Sequence, residues 1–99
     1  MADETDKIEI FPDVCVDHDE EKYHIEIELP GVKKEDISLQ MGDTSFCIKA
    51  PKGDMAYSAC YTLAHSVDTS NVKANFENGL LTILAPFEHS LGGVTIKIE

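Results

Sequence analysis

Asp17-His18-Asp19-Glu20-Glu21 is a dense run of ionisable side chains with enough carboxylate oxygens to hold a calcium ion. It lacks the glycine turn and the closing glutamate of an EF-hand, so it reads as a solvated turn. His18, His24, His65 and His89 show no paired metal-ligand spacing. Cys60 precedes His65 closely enough to suggest a thiol nucleophile with its base, but it falls in a strand pattern with nothing to lower its pKa. Ser, His and Asp occur without a Gly-x-Ser-x-Gly elbow. Gly92-Gly93 lacks the lysine and flanking pattern of a phosphate-binding loop. Cys15, Cys47 and Cys60 are odd in number, lack Cys-x-x-Cys spacing and each sit inside a predicted strand. They read as small buried hydrophobes in a reducing compartment rather than as a disulfide framework or a zinc site. The expectation is a protein with no catalytic residues, no cofactor and no metal, and no enzymatic activity.

What remains is architecture. The 99 residues suit one domain with a modest core. The formal net charge is −11, from 19 acids against 8 lysines and no arginine. Such a surface repels phosphate backbones and anionic bilayers, which argues against nucleic-acid and membrane partners. Self-association must work against this repulsion and so should tighten with salt. No apolar run is long enough to span a membrane and no signal peptide follows Met1, so a cytoplasmic location is expected.

Short strand patterns separated by turns recur along the chain, and no stretch shows helical period. Ile8 to Val16 alternates loosely and is broken by Pro12, which suits an edge strand; Asp17 to Lys22 follows as a charged turn. Tyr23, Ile25, Ile27 and Leu29 alternate with His24, Glu26 and Glu28, giving a strand with one wet face. After Pro30-Gly31, Ile37, Leu39 and Met41 mark the next strand. Ser45 to Ala50 follows, then a turn over Pro51 to Asp54, then Tyr57, Ala59, Tyr61 and Leu63. His65 to Asn71 is a polar connection. Val72 to Phe76 and Leu80 to Ala85 flank Asn78-Gly79, a strong short hairpin signal. Pro86 ends that ladder, having no N–H to donate. Phe87 to Gly93 reads as a linker, and Val94 to Ile98 as a last short run. Seven to eight short strands argue for an all-β sandwich.

Three of these segments together resemble the signatures of the small heat shock proteins, the Hsp20/α-crystallin family. The first is Ala74, Phe76, Asn78, Gly79, Leu80, Leu81, Ile83 and Pro86. The second is the alternating strand with Leu29-Pro30-Gly31-Val32, a charged turn, and Asp36-Ile37. The third is Ile96-Lys97-Ile98, similar to the family's C-terminal Ile-x-Ile motif. The resemblance implies the immunoglobulin-like sandwich of the α-crystallin domain over residues 8–86 and an extension at 87–99, while the polar, acidic start reads as a short disordered tail at 1–7. It also implies an ATP-independent holdase that binds partly unfolded proteins and self-associates as a dimer or small oligomer. Two isoleucines two apart in an extended segment face the same side, and can fill adjacent pockets while the backbone adds a strand to a sheet edge. By resemblance the receiving groove is lined by Ile37, Leu39 and Met41 on one side and by Val72, Ala74 and Phe76 on the other. The competing expectation is that Val94 to Ile98 is the last strand of its own sandwich.

The chain also departs from the family pattern. Few residues precede the first strand where family members carry a longer apolar arm. The connection from Pro51 to Ala56 is too short for the excursion that swaps a strand between partners. The chain would then either pair edge to edge through the Tyr57 to Leu63 strand, with Tyr57, Ala59 and Tyr61 as the contact, or stay a monomer; Ala59 stands where arginine is frequent and Leu63-Ala64 where Leu-Pro is usual. The short connection and the lack of an arm also resemble CS-domain co-chaperones of the p23 type, so an adaptor that docks on a specific partner is the alternative.

Overall fold

The computed structural model describes residues 8–89 and 95–99. Eight strands form two four-stranded sheets: β1 (Ile8–Ile10), β2 (Asp13–His18), β3 (Lys22–Glu28), β4 (Ser38–Met41), β5 (Ser45–Lys52), β6 (Met55–Thr62), β7 (Lys73–Glu77) and β8 (Leu80–Pro86). One sheet has the order β1-β6-β5-β4 and the other β2-β3-β8-β7. The all-β sandwich read from the alternating patterns is the fold observed.

The core follows from those patterns. Tyr23, Ile25 and Ile27 of β3 are buried on one face while His24, Glu26 and Glu28 stay exposed. They meet Leu81, Ile83 and Ala85 of β8 at matching register. From the opposite sheet Phe46, Ile48 and Ala50 of β5 and Tyr57 and Ala59 of β6 complete the cluster. Burying large aliphatic side chains stabilises by about 1.5–3 kcal/mol each, so this layer holds the two sheets together. Asn78 and Gly79 both take positive φ, at 53° and 81°, as a two-residue hairpin between twisted strands requires. The turn also docks on the body of the domain, because the Leu29 N–H donates to the Gly79 carbonyl at 2.7 Å.

Four local readings are corrected. Ile8 to Val16 is two strands in different sheets: β1 pairs in parallel with β6, and β2 pairs antiparallel with β3. Phe11-Pro12 carries the chain across, because a proline without an N–H suits the place where one ladder stops. The charged turn is shorter than read, with β2 running through His18 and β3 starting at Lys22. The β5–β6 turn contracts to Gly53-Asp54, with Pro51 inside the ladder opposite Ala56. Gly53 at φ 61° makes that tight reversal possible. Finally, Cys47 and Cys60 are not buried thiols. They lie directly opposite each other on β5 and β6, with Cα atoms 4.1 Å apart, and form a disulfide. Cys15 is free and exposed on β2.

The expected tail at 1–7, and with it Gly92-Gly93 and Val94, lies outside the described residues. Thr95–Glu99 takes no strand pairing and is exposed throughout, so these residues are not the last strand of their own sandwich.

Candidate functional site

The residues that looked most capable of chemistry are occupied structurally. The Asp19 carboxylate closes its turn, with Oδ1 accepting from the N–H groups of Glu21 (2.6 Å) and Lys22 (2.8 Å) and Oδ2 meeting His24 Nε2 at 2.9 Å. The His24 bond first, then the two backbone donors, hold this carboxyl well below the usual carboxylate range. His18 and His65 pack with Tyr23 and Phe87 in an aromatic cluster, with centroids 5.0 to 6.3 Å apart. The His65 N–H donates to the Tyr23 hydroxyl at 2.9 Å. Cys60 is bonded to Cys47, so it is no free nucleophile for His65. Among the described residues no three His, Cys, Asp or Glu side chains gather as a metal site.

The sheet edges carry the other candidates. β1 and β2 are joined by two residues only, so their edges lie on one side of the sandwich and the other terminal strands, β4 and β7, lie on the opposite side. Leu39 and Met41 stand opposite Ile48 and Phe46, and so point between the sheets. Ala74 and Phe76 stand opposite Ile83 and Leu81 and do the same. Ile37, Leu39, Met41, Val72 and Phe76 are half-buried against the core, whereas Ala74 is exposed. Two rows of incompletely covered apolar side chains therefore sit at strands whose outer N–H and C=O groups have no neighbouring strand among the described residues. Such edges are templates for a further strand. Ile96 and Ile98 are 75% and 92% exposed.

The dimer contact expected at β6 is more restricted than read. Tyr57, Ala59 and Tyr61 stand opposite Ala50, Ile48 and Phe46, so their side chains turn into the core rather than toward a partner. β1 occupies the backbone edge over Met55 to Tyr57, leaving only Ser58 to Thr62 open. Sequence reading also missed an exposed apolar group at that corner. Phe11 is 83% exposed beside an open cavity of about 530 Å³ lined also by Asp13, Glu28, Pro30, Tyr57 and Leu80. Ile8, two-thirds exposed, is paired with the exposed Met55. The signal is present in Ile8-Glu9-Ile10 followed by Phe11, but loose alternation continuing to Val16 hides it within one longer strand pattern.

No helix among the described residues is long and apolar enough to cross a membrane. Residues 15–98 match the sequence profile described as Hsp20/alpha crystallin family. The small heat shock protein C4 of Rickettsia felis is 28% identical over 91% of this chain and 65% of its own length. Heat shock protein 16 of Schizosaccharomyces pombe is 27% identical over 79% of this chain and 67% of its own. The chain thus spans about two thirds of these relatives. Among solved structures, heat shock protein 16.0 from Schizosaccharomyces pombe superposes with a TM-score of 0.75 at 27% identity, covering 92% of this chain and 77% of that one. A small heat-shock protein from Xylella fastidiosa shares the fold, with a TM-score of 0.70 at 19% identity over 91% of this chain and 97% of that one. With the signature hairpin, the sandwich and a profile match over most of its length, the chain belongs to the Hsp20/alpha crystallin family of small heat shock proteins.

Proposed function

We propose that this protein is an ATP-independent holdase that binds partly unfolded chains and limits their aggregation. The family is known for this non-enzymatic activity. The observation that carries the reading for this chain is the pair of terminal strands β4 and β7, each with an inward row of half-covered apolar side chains. An extended client segment adds a strand there and seats alternate side chains on those rows. Binding the unfolded state slows aggregation by mass action and needs no nucleotide.

In the same reading, Ile96 and Ile98 are an intermolecular latch. Their exposure and the lack of pairing at Thr95–Glu99 support a role in which a second copy receives them between Ile37, Leu39 and Met41 on β4 and Val72, Ala74 and Phe76 on β7. Tail and client then compete for one edge, as befits a chaperone that assembles at rest. The cytoplasm is the proposed site of action, and the cross-strand disulfide there would be a transient, redox-cycled bond rather than a permanent staple.

The test is light scattering from a heated model client. Equimolar subunits are expected to suppress its aggregation, and replacing both Ile96 and Ile98 by Ser is expected to reduce assembly size while leaving suppression intact or raised. No suppression by the intact chain would remove the holdase reading. Recovery of one stoichiometric folded partner in place of heat-dependent clients would point to an adaptor instead.

A further inference from the structure

The Cys47–Cys60 disulfide has no part in strand docking, yet its placement is that of a reactive group. In β5, Phe46, Ile48 and Ala50 turn into the core, which leaves Cys47 and Lys49 on the outer face. In β6, Tyr57 and Ala59 turn inward, and Cys60 is exposed outside. The bond therefore lies at the solvent boundary. It closes a hairpin whose strands are already paired from Ser45 opposite Thr62 to Lys52 opposite Met55, over a buried face that does not include the sulfurs. Folding does not need it to define the register.

The surroundings are equally specific. Ser38 and Gln40 of β4, Lys49 of β5 and Ser58 of β6 line a shallow cavity of about 220 Å³ together with both cysteines. That lining holds one cation and no carboxylate, in a chain of net charge −11. The outer face of the other sheet is more acidic: Asp13, Asp17, Glu26, Glu28 and Glu77 lie there against Lys22 and Lys73, with Asp13, Glu28 and Glu77 in one row across the sheet. An anionic reagent is thus disfavoured on one face and tolerated on the other, and a thiolate formed beside Lys49 gains from its charge.

We propose that Cys47 and Cys60 form a reversible thiol–disulfide exchange site for a small anionic thiol of the glutathione class. The incoming thiolate attacks Sγ of the more exposed residue, Cys60. The Cys47–Cys60 bond breaks as the mixed disulfide forms at Cys60, and Cys47 leaves as a thiolate that takes up a proton. A second small-molecule thiolate attacks the small-thiol sulfur of the mixed disulfide and releases Cys60 as a thiolate, which is protonated in turn. The protein gains two electrons and two protons, and two small thiols become one small disulfide. Oxidation runs the same steps backward.

The site is independent of the holdase reading and is tested without it. The folded full-length chain carrying Cys15→Ser is equilibrated in graded mixtures of reduced and oxidised glutathione and its free thiols are counted by mass spectrometry. A reversible two-thiol transition with an unchanged far-ultraviolet spectrum is expected. In the same background, Cys47→Ser, which retains Cys60, is expected to take up one glutathione from its oxidised form about tenfold faster than Cys60→Ser, which retains Cys47. A disulfide that resists millimolar reduced glutathione until denaturant is added overturns the proposal, and so does equal labelling of the two single-cysteine variants.

Discussion

Asp19 shows how a residue that suggests ligand chemistry can be spent on local structure. Its two oxygens are engaged by His24 and by the N–H groups of Glu21 and Lys22, so the turn between β2 and β3 is held by a charged acceptor. Asp68 does the same work before β7, where the side chain of Ser70, then that of Asn71, then the Ser70 N–H keep its carboxyl below the usual range. Asp19 is exposed and Asp68 half-buried, so solvent screens what each contributes. The sign is nonetheless fixed. A carboxyl whose folded pKa lies below its unfolded value stabilises the fold above about pH 4, and that stabilisation is lost as pH falls through the folded value. Asp19→Asn is expected to lower the melting temperature slightly at neutral pH and to flatten its decline below about pH 4, with the two proteins converging in acid. Thermal melts across that range check this, and parallel pH curves would show that the Asp19 charge does not stabilise the turn.

At the scale of elements, the β7–β8 hairpin joins turn chemistry to tertiary packing. Gly79 sits at φ 81°, and a Cβ there would come 3.3 Å from Pro30 Cα. Gly53, in the β5–β6 turn at φ 61°, has nothing within 4 Å of the same position. Gly79→Ala is therefore expected to lose about 1–2 kcal/mol from left-handed backbone strain plus a further increment from the Pro30 contact, while Gly53→Ala loses the strain alone. Denaturant midpoints of the two variants measure the difference. Equal losses would mean that the turn's docking on Leu29-Pro30 adds nothing. The disulfide belongs to this scale too. A hairpin turning at Gly53-Asp54 sets Cys47 opposite Cys60, whereas a turn spread over Pro51 to Asp54 sets Cys47 opposite Ser58. The sequence holds the two cysteines but not the register, and a slip of this kind decides whether they meet.

For the whole molecule, charge and edges act against each other. A net charge of −11 resists association, while the open edges of β4 and β7 and the exposed Ile96 and Ile98 favour it. Added salt screens the repulsion between charges farther apart than about 10 Å at 0.1 M and leaves apolar contacts in place. The mass by light scattering after size exclusion is expected to rise with salt for the full chain and to fall to a smaller, salt-insensitive species for a chain ending at Pro86. A monomer in both forms and at every salt concentration would remove the latch role of Ile96-Lys97-Ile98.

The alternation of Tyr23 to Leu29, the apolar run of Leu80 to Ala85 and the Asn78-Gly79 turn determined the sandwich by themselves, because side-chain period and positive-φ demand are local properties. The spacing from Ala74 to Pro86 was enough to suggest the family. Which faces the edge rows of β4 and β7 turn inward was legible as well, since one strand's alternation sets it. Other features were decided only in three dimensions. The split of Ile8 to Val16 between two sheets depends on which neighbours each half finds, and the cover that β1 gives to the β6 edge from Met55 to Tyr57 follows from it. Cys47 and Cys60 meet because of a register set by a turn one step tighter than local propensity indicated. Pairing across strands is a relation between distant residues, so no local pattern in either partner contains it.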